Sequence, residues 1–237
     1  MPRINRNFSR QRPNSNNVRR NILIAAAFIV VVIVLVAILA SASIPRSAFQ
    51  GGVAFPAREM GSAAAKVVVD EFADFQCPIC GVFNSNAEAR LREQYINAGK
   101  VRFIFHNFPV VDSHVAGGTE SHLAALAALC AGDQKSFWEY HDLLFQNQSG
   151  ENQGAFSTPR LDTFAARLHL VSVTFDQCLS NQTHADVLAG DIQLGKHSGI
   201  NGTPSFFVNG VPASGPYSAD FPWLFDAIDK ALRKAGG

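Results

Sequence analysis

Residues 69 to 81 read VDEFADFQCPICG, which sets Cys77 and Cys80 three positions apart with Pro78 and Ile79 between them. A Cys-x-x-Cys pair serves zinc sites, haem attachment and thiol exchange, so its neighbours must discriminate. Haem attachment needs a histidine after the second cysteine, and Gly81 stands there. Zinc would need a second ligand cluster, but Cys130 and Cys178 are isolated. His106, His114 and His122 fall on different predicted elements and read as surface or capping residues. No metal and no other cofactor is expected. Redox exchange has positive support, because the pair lies where a strand gives way to a helix. Cys77 then sits at the helix N-terminus, where unpaired N–H groups and the helix dipole stabilise a thiolate, the species that attacks disulfides. Cys80, one turn further in, is expected to be buried and to act as the resolving thiol.

Glu71 lies six residues before Cys77 in an otherwise apolar strand. A carboxyl buried there should have a raised pKa, lie behind the cysteines, and accept or return the proton of Cys80. The alternative is an edge residue facing water, a description that suits its neighbours Asp70 and Asp74.

These residues need a scaffold, and the pattern supplies one. KVVVDEF (66 to 72) is a short β-branched run that reads as a buried strand. Phe83, Ala87, Leu91 and Tyr95 recur at helical spacing, predicting a helix over 80 to 98 that stops at Gly99. VRFIFHNFP (101 to 109) is a second strand, and strand, helix, strand requires a parallel pair. Residues 119 to 198 then read as successive helices: TESHLAALAALCA, QKSFWEYHDLLFQN, STPRLDTFAARLHL with Pro159 in its first turn, and two more near 174 to 181 and 184 to 197. Phe137, Trp138, Tyr140, Leu143, Leu144 and Phe145 read as core of that block. Strand signal returns at 205 to 210, where Asn209-Gly210 marks a hairpin turn into a short strand near 211 to 214, and an amphipathic helix closes the chain at about 220 to 235.

The compartment follows from the N-terminal residues. Six arginines and no acid occupy residues 1 to 40, leaving 14 basic against 19 acidic residues elsewhere, so nucleic acid is not an expected partner. Residues 22–40 are 19 consecutive apolar residues, enough for a helix of about 30 Å and hence one membrane crossing. The arginines before it place a basic tail, 1–21, in the cytoplasm, and residues 41–65 read as a linker to a domain of residues 66–237 outside. A cleaved signal peptide competes, since Ala40-Ser41-Ala42 suits cleavage, and Arg19-Arg20 also suits a twin-arginine signal. An h-region of roughly 7 to 15 residues is shorter than this segment, which favours an uncleaved signal-anchor. Either way the domain is extracytoplasmic, where disulfides persist.

One further motif, GTPSFFVNG (202 to 210), puts Pro204 directly before a strand, either as an edge start or as a cis peptide in a tight turn. EFADFQCPIC, the helical insertion at about 112–198 and GTPSFFVNG together resemble the DsbA-type thiol:disulfide oxidoreductases of the thioredoxin superfamily. The resemblance covers residues 66 to 235. It implies a thioredoxin fold of the α/β class with a helical insertion, a cis Thr203–Pro204 bond packed against Cys77 and Cys80, a Thr203 backbone that pairs with extended substrate, and Glu71 as the buried acid. It also implies exported reduced proteins as substrates and a membrane quinone-linked thiol oxidase as redox partner. Main-chain pairing reads no side chains, which suits many substrates. The chain departs from the best-known periplasmic oxidases, which carry Cys-Pro-His-Cys. With Ile79 in the histidine's place, Cys77 should have a less depressed pKa and the disulfide should be less oxidising.

Cys130 and Cys178 fall on two helices of the insertion, as a second redox relay or as a structural disulfide. No activating motif surrounds either, which favours the structural bridge. The reading as a whole is a membrane-tethered enzyme that introduces disulfides into exported proteins. A reductase or isomerase, or a tethered chaperone without turnover, are the rivals.

Overall fold

A computed structural model of the protein describes residues 55–236. The segment 22–40 lies outside them, and no helix among the described residues is long and apolar enough to cross a membrane.

Five strands form one sheet: β1 (Glu59–Met60), β2 (Val67–Ala73), β3 (Val101–Asn107), β4 (Ser205–Val208) and β5 (Val211–Ala213). Their order is β1-β3-β2-β4-β5, with β2 and β3 parallel and every other pair antiparallel. The parallel pair is joined by α1 (Pro78–Asn86), α2 (Glu88–Leu91) and a π-helical turn (Arg92–Ile96). The single helix expected over 80 to 98 is therefore divided, with a break at Ala87, and it ends where Gly99 takes a φ of 69°. The β4–β5 hairpin turns on Asn209 and Gly210, whose φ values of 50° and 75° supply the two positive angles that a tight hairpin of this kind requires.

Every residue of β2 is buried because both faces of the sheet are covered. On one face Val67, Val69, Phe103 and Phe206 pack against Phe83, Leu91 and the closing helix α8 (Pro222–Gly236) through Leu224 and Phe225. On the other, Phe72, Phe108 and Phe207 pack against Leu194 and Ile200. Between β3 and β4 the chain builds α3 (Glu120–Asp133), α4 (Phe137–Gln146), α5 (Thr158–Arg167), α6 (Ser172–Ser180) and α7 (Ala185–His197). The alanines of α3 are buried around its circumference, as expected of a helix enclosed by its neighbours. Trp138 of α4 touches both this helical core and the sheet core.

Three expectations need correction. Residues 56 to 60, read as the end of a linker, form a 3-10 turn and the edge strand β1, a two-residue strand being too short for any periodic signal. His106 is not a surface residue, and Asp70 does not face water. Both are buried, with His106 Nε2 3.0 Å from Asp70 and Nδ1 3.0 Å from Asp191 of α7, whose other oxygen meets Arg58. Burial pulls the imidazole pKa down, but hydrogen bonds to Asp191 and Asp70 outweigh it and leave the pKa raised. Two carboxylates, a guanidinium and an imidazole thus satisfy one another out of water, a solution that only tertiary packing can supply.

Removing Arg58 alone strands a buried carboxylate, and Arg58→Ala is expected to cost about 3–5 kcal/mol in urea unfolding. Because the His106 pKa is raised in the fold, its contribution is complete below the unfolded value near ~6.5 and is lost as pH rises through the folded value. Unfolding free energies measured from pH 6 to pH 9 should therefore decline, and the decline should be absent in His106→Gln.

Candidate active site

β2 ends at Ala73, and the next four residues turn the chain into α1, with the Cys77 N–H donating to the Asp74 carbonyl at 3.0 Å. Cys77 is the N-cap of α1, in extended conformation, and Pro78 occupies the first turn, where its missing N–H costs nothing. Cys77 and Cys80 are both free thiols. The Cys77 pKa is lowered from 9.0 to about 6. Donation from the Cys80 thiol contributes most, burial opposes it, and the Thr203 side chain and the N–H groups of Cys80 and Ile79 add to the lowering. The Thr203–Pro204 peptide is cis, and the Thr203 carbonyl oxygen lies 3.3 Å from Cys77 Sγ, where it accepts from the neutral thiol. Cys80 is fully buried, and burial, its bond to Cys77 and the charges of Cys77 and Glu71 push its pKa well up. Two sulfurs one helical turn apart thus have opposite acidities.

Glu71 points into the same side of the sheet as α1, opposite Phe105 on one neighbouring strand and Phe206 on the other. It is 1% exposed, its Oε2 has no hydrogen-bond partner, and its pKa is raised well above the usual carboxylate value. Burial is the main cause, the Glu88 and Cys77 charges add to it, and Arg92 works the other way. Burial thus disfavours the charged carboxylate beside a thiol that must lose and regain a proton.

Several residues of the site had no signal in the pattern. Asp74, read as solvent-facing, is buried and accepts from Gln76 N–H (2.8 Å), the Ser121 hydroxyl (2.6 Å) and Val111 N–H (2.8 Å). Asp112 accepts from the N–H groups of Ser121 and His122, both at 2.9 Å, capping α3 where Thr119 does not. Gln148, beyond α4, donates to the carbonyls of Phe75 (2.7 Å) and Cys77 (3.0 Å). A Cβ on Gly81 would lie 2.4 Å from Gln148 Oε1, so glycine is required for that approach. Glu88, also buried, accepts from Asn84 (2.8 Å) and Arg92 (2.7 Å), and Arg92 reaches on to Asp142 (2.8 Å). Side-chain amides and carboxylates separated by tens of residues cannot be paired from spacing alone.

Cys130 of α3 and Cys178 of α6 form a disulfide, with an S–S distance of 2.04 Å and a Cα–Cα distance of 5.8 Å. Neither has thiolate-stabilising surroundings: Cys130 is in the last turn of its helix, and an Asp133 oxygen lies 3.8 Å from Cys178 Sγ. Among the described residues, two other groups bring possible metal ligands together. In one, Glu88, His141 and Asp142 are met by the Arg92 guanidinium; in the other, Cys178 is oxidised. Neither fits a resident cation.

A protein-family model described as Thioredoxin matches residues 56–221. The chain belongs to the thioredoxin family. Within it the likeness is to the DsbA type. Disulfide bond formation protein D of Bacillus subtilis is 33% identical over 178 residues, 73% of this chain and 76% of that protein. The oxidised BdbD structure from Bacillus subtilis superposes with a TM-score of 0.65 at 29% identity, covering 79% of this chain and 100% of that one. The Na(+)/H(+) antiporter NhaA 3 of Salinispora tropica is 36% identical over 160 residues, 68% of this chain. This chain spans only 22% of that antiporter's length.

Gln148→Ala leaves two carbonyls of the active-site turn without that donor, at a cost of about 1–3 kcal/mol. Gly81→Ala should displace the same amide, so the two substitutions are expected to be strongly non-additive in a double-mutant unfolding cycle.

Proposed function

We propose that the protein is a thiol:disulfide oxidoreductase that introduces disulfides into exported proteins, acting outside the cytoplasm while tethered by residues 22–40. The observation that carries this reading is the placement of Cys77 at a helix N-terminus against the cis Thr203–Pro204 bond, with Cys80 and Glu71 buried behind it.

In the oxidised enzyme a substrate thiolate attacks the Cys77 sulfur, the Cys77–Cys80 bond breaks, and a mixed disulfide forms. Cys80 leaves as a thiolate and takes the Glu71 proton. A second substrate thiolate then attacks the substrate sulfur of the mixed disulfide, forming the substrate disulfide and expelling Cys77 as a thiolate. Two electrons have passed from the substrate to the cysteine pair. A membrane quinone-linked thiol oxidase is the proposed acceptor that restores the Cys77–Cys80 bond. Thr203 and Pro204 flank the Cys77 sulfur and are the proposed substrate-binding edge, and the Cys130–Cys178 bond is proposed to be structural.

The acidity of Cys77 supports the oxidising direction. A thiol whose folded pKa is depressed stabilises the reduced form fully above the unfolded value, and that stabilisation is lost as pH falls through about 6. A stabilised reduced form makes the disulfide an oxidant. A value of about 6 lies between DsbA, near ~3.5, and thioredoxin, near ~7, consistent with Ile79 in place of a histidine. This intermediate acidity is also what a reductase or isomerase would draw on.

The Cys77–Cys80 reduction potential, measured against glutathione, is expected between about −120 and −270 mV. A value at or below the thioredoxin end would overturn the oxidising direction. Alkylation of the reduced protein should show Cys77 titrating near pH 6, with Cys80 unreactive. Cys77→Ser should abolish turnover, and retained activity would leave only a chaperone role. Glu71→Gln should slow the step that transfers the Cys80 proton by about 10²-fold and remove its pH dependence, without loss of the Cys77 thiolate.

A further inference from the structure

The seven residues of β2 separate two ends of the domain by about 20 Å. Cys77, the Thr203–Pro204 bond and the start of α3, where Ser121 meets Asp74, share one end. The other end gathers the beginnings of β2 and β3, the β4–β5 turn and the end of α8, since Asn209 accepts from Val68 N–H (2.7 Å) and Lys66 donates to the Ala235 carbonyl (3.1 Å). Four exposed lysines, Lys66, Lys100, Lys230 and Lys234, come from these separate elements and stand together there. They rim two clefts of about 640 and 340 Å³ whose floors include Val208, Val211, Ala231 and Leu232, and no carboxylate lines either cleft among the described residues. Two carboxylates toward this end, Asp133 and Asp229, are already engaged with His184 (2.8 Å) and Tyr95 (3.0 Å).

The chain joins the sheet through β1, which starts opposite Ile104 at the middle of β3 and runs toward this end. α3 runs from Ser121, beside the active site, to Gly132, and Phe55 packs on Gly132 and lies edge-on to His184 at 4.9 Å. Only residues 41–54 intervene between the apolar segment and Phe55, a span of at most about 50 Å when fully extended.

We propose that the lysine end of the domain rests on the anionic phospholipid surface of the membrane, so that Cys77 and Thr203 face away from the bilayer. The inference rests on the tethered reading given above. A short tether holds the lysines at high effective concentration over the headgroups, so individually weak, salt-screened attractions suffice to orient the domain. An active site turned outward is left open to extended chains.

The full chain, reconstituted into nanodiscs of phosphatidylcholine alone or with phosphatidylglycerol, tests this by amine acetylation read by mass spectrometry. Lys196 follows Gly195, which packs on Phe108 beside the end of β2, and is the internal reference. Lys66, Lys100, Lys230 and Lys234 are expected to label at least about fivefold more slowly relative to Lys196 in the anionic discs, as one surface-bound lysine alone would confer. The protection should vanish at high salt and in Lys230→Glu/Lys234→Glu. Equal labelling in both lipids, protection of Lys196 instead, or protection that persists in uncharged detergent, which marks a protein contact, would each overturn the proposal. A chain stripped from vesicles by alkaline carbonate would remove the tethered reading itself, whereas retention with unprotected lysines removes only the orientation.

Discussion

The structure depends on how differently water treats two sulfur atoms one helical turn apart. Cys77 follows the turn after β2 and opens a helix, so N–H groups and the Cys80 thiol converge on its sulfur and lower its pKa to about 6. Cys80 lies below it in the core, where charge is opposed by burial. Everything nearby maintains that contrast. β2 delivers the turn at the centre of the sheet, the cis Thr203–Pro204 segment covers Cys77 from the side, and burial within the apolar layer raises the Glu71 pKa.

The helical insertion grips the active-site turn as well as flanking it. Gln148 holds the carbonyls of Phe75 and Cys77, Ser121 and Asp112 hold Asp74 and Gln76, and the Asn152 N–H donates to Gln76 Oε1 at 2.5 Å. Each is a polar group made strong by its distance from water, and each would be costly if left unpaired. The turn is thus positioned jointly by the sheet and by residues of the insertion 36 to 76 positions further along the chain, which ties the redox pair to the stability of the insertion. The disulfide between α3 and α6 ties two of those helices together.

The opposite face of the sheet carries a different balance. Asp70, His106, Asp191 and Arg58 compensate one another in the interior, joining β2, β3, α7 and the segment before β1. Such a network anchors the entering chain to the domain through charge that has no exposure to screening ions.

The order of strands and helices, the position of the cysteine pair at a helix N-terminus, the buried acid on β2 and the Asn-Gly hairpin were legible in the amino-acid sequence. These depend on local periodicity and on residues whose backbone preferences act over a few positions. What only the tertiary structure decided was the burial of Asp70, Asp74 and His106, the division of the first helix at Ala87, the packing of residues 56 to 60 as an edge strand, and the hold of Gln148 on the active-site turn. Each of these depends on a partner distant along the chain. Spacing reports which residues share a face, whereas the solvation of a polar side chain is set by whatever the fold later lays across that face.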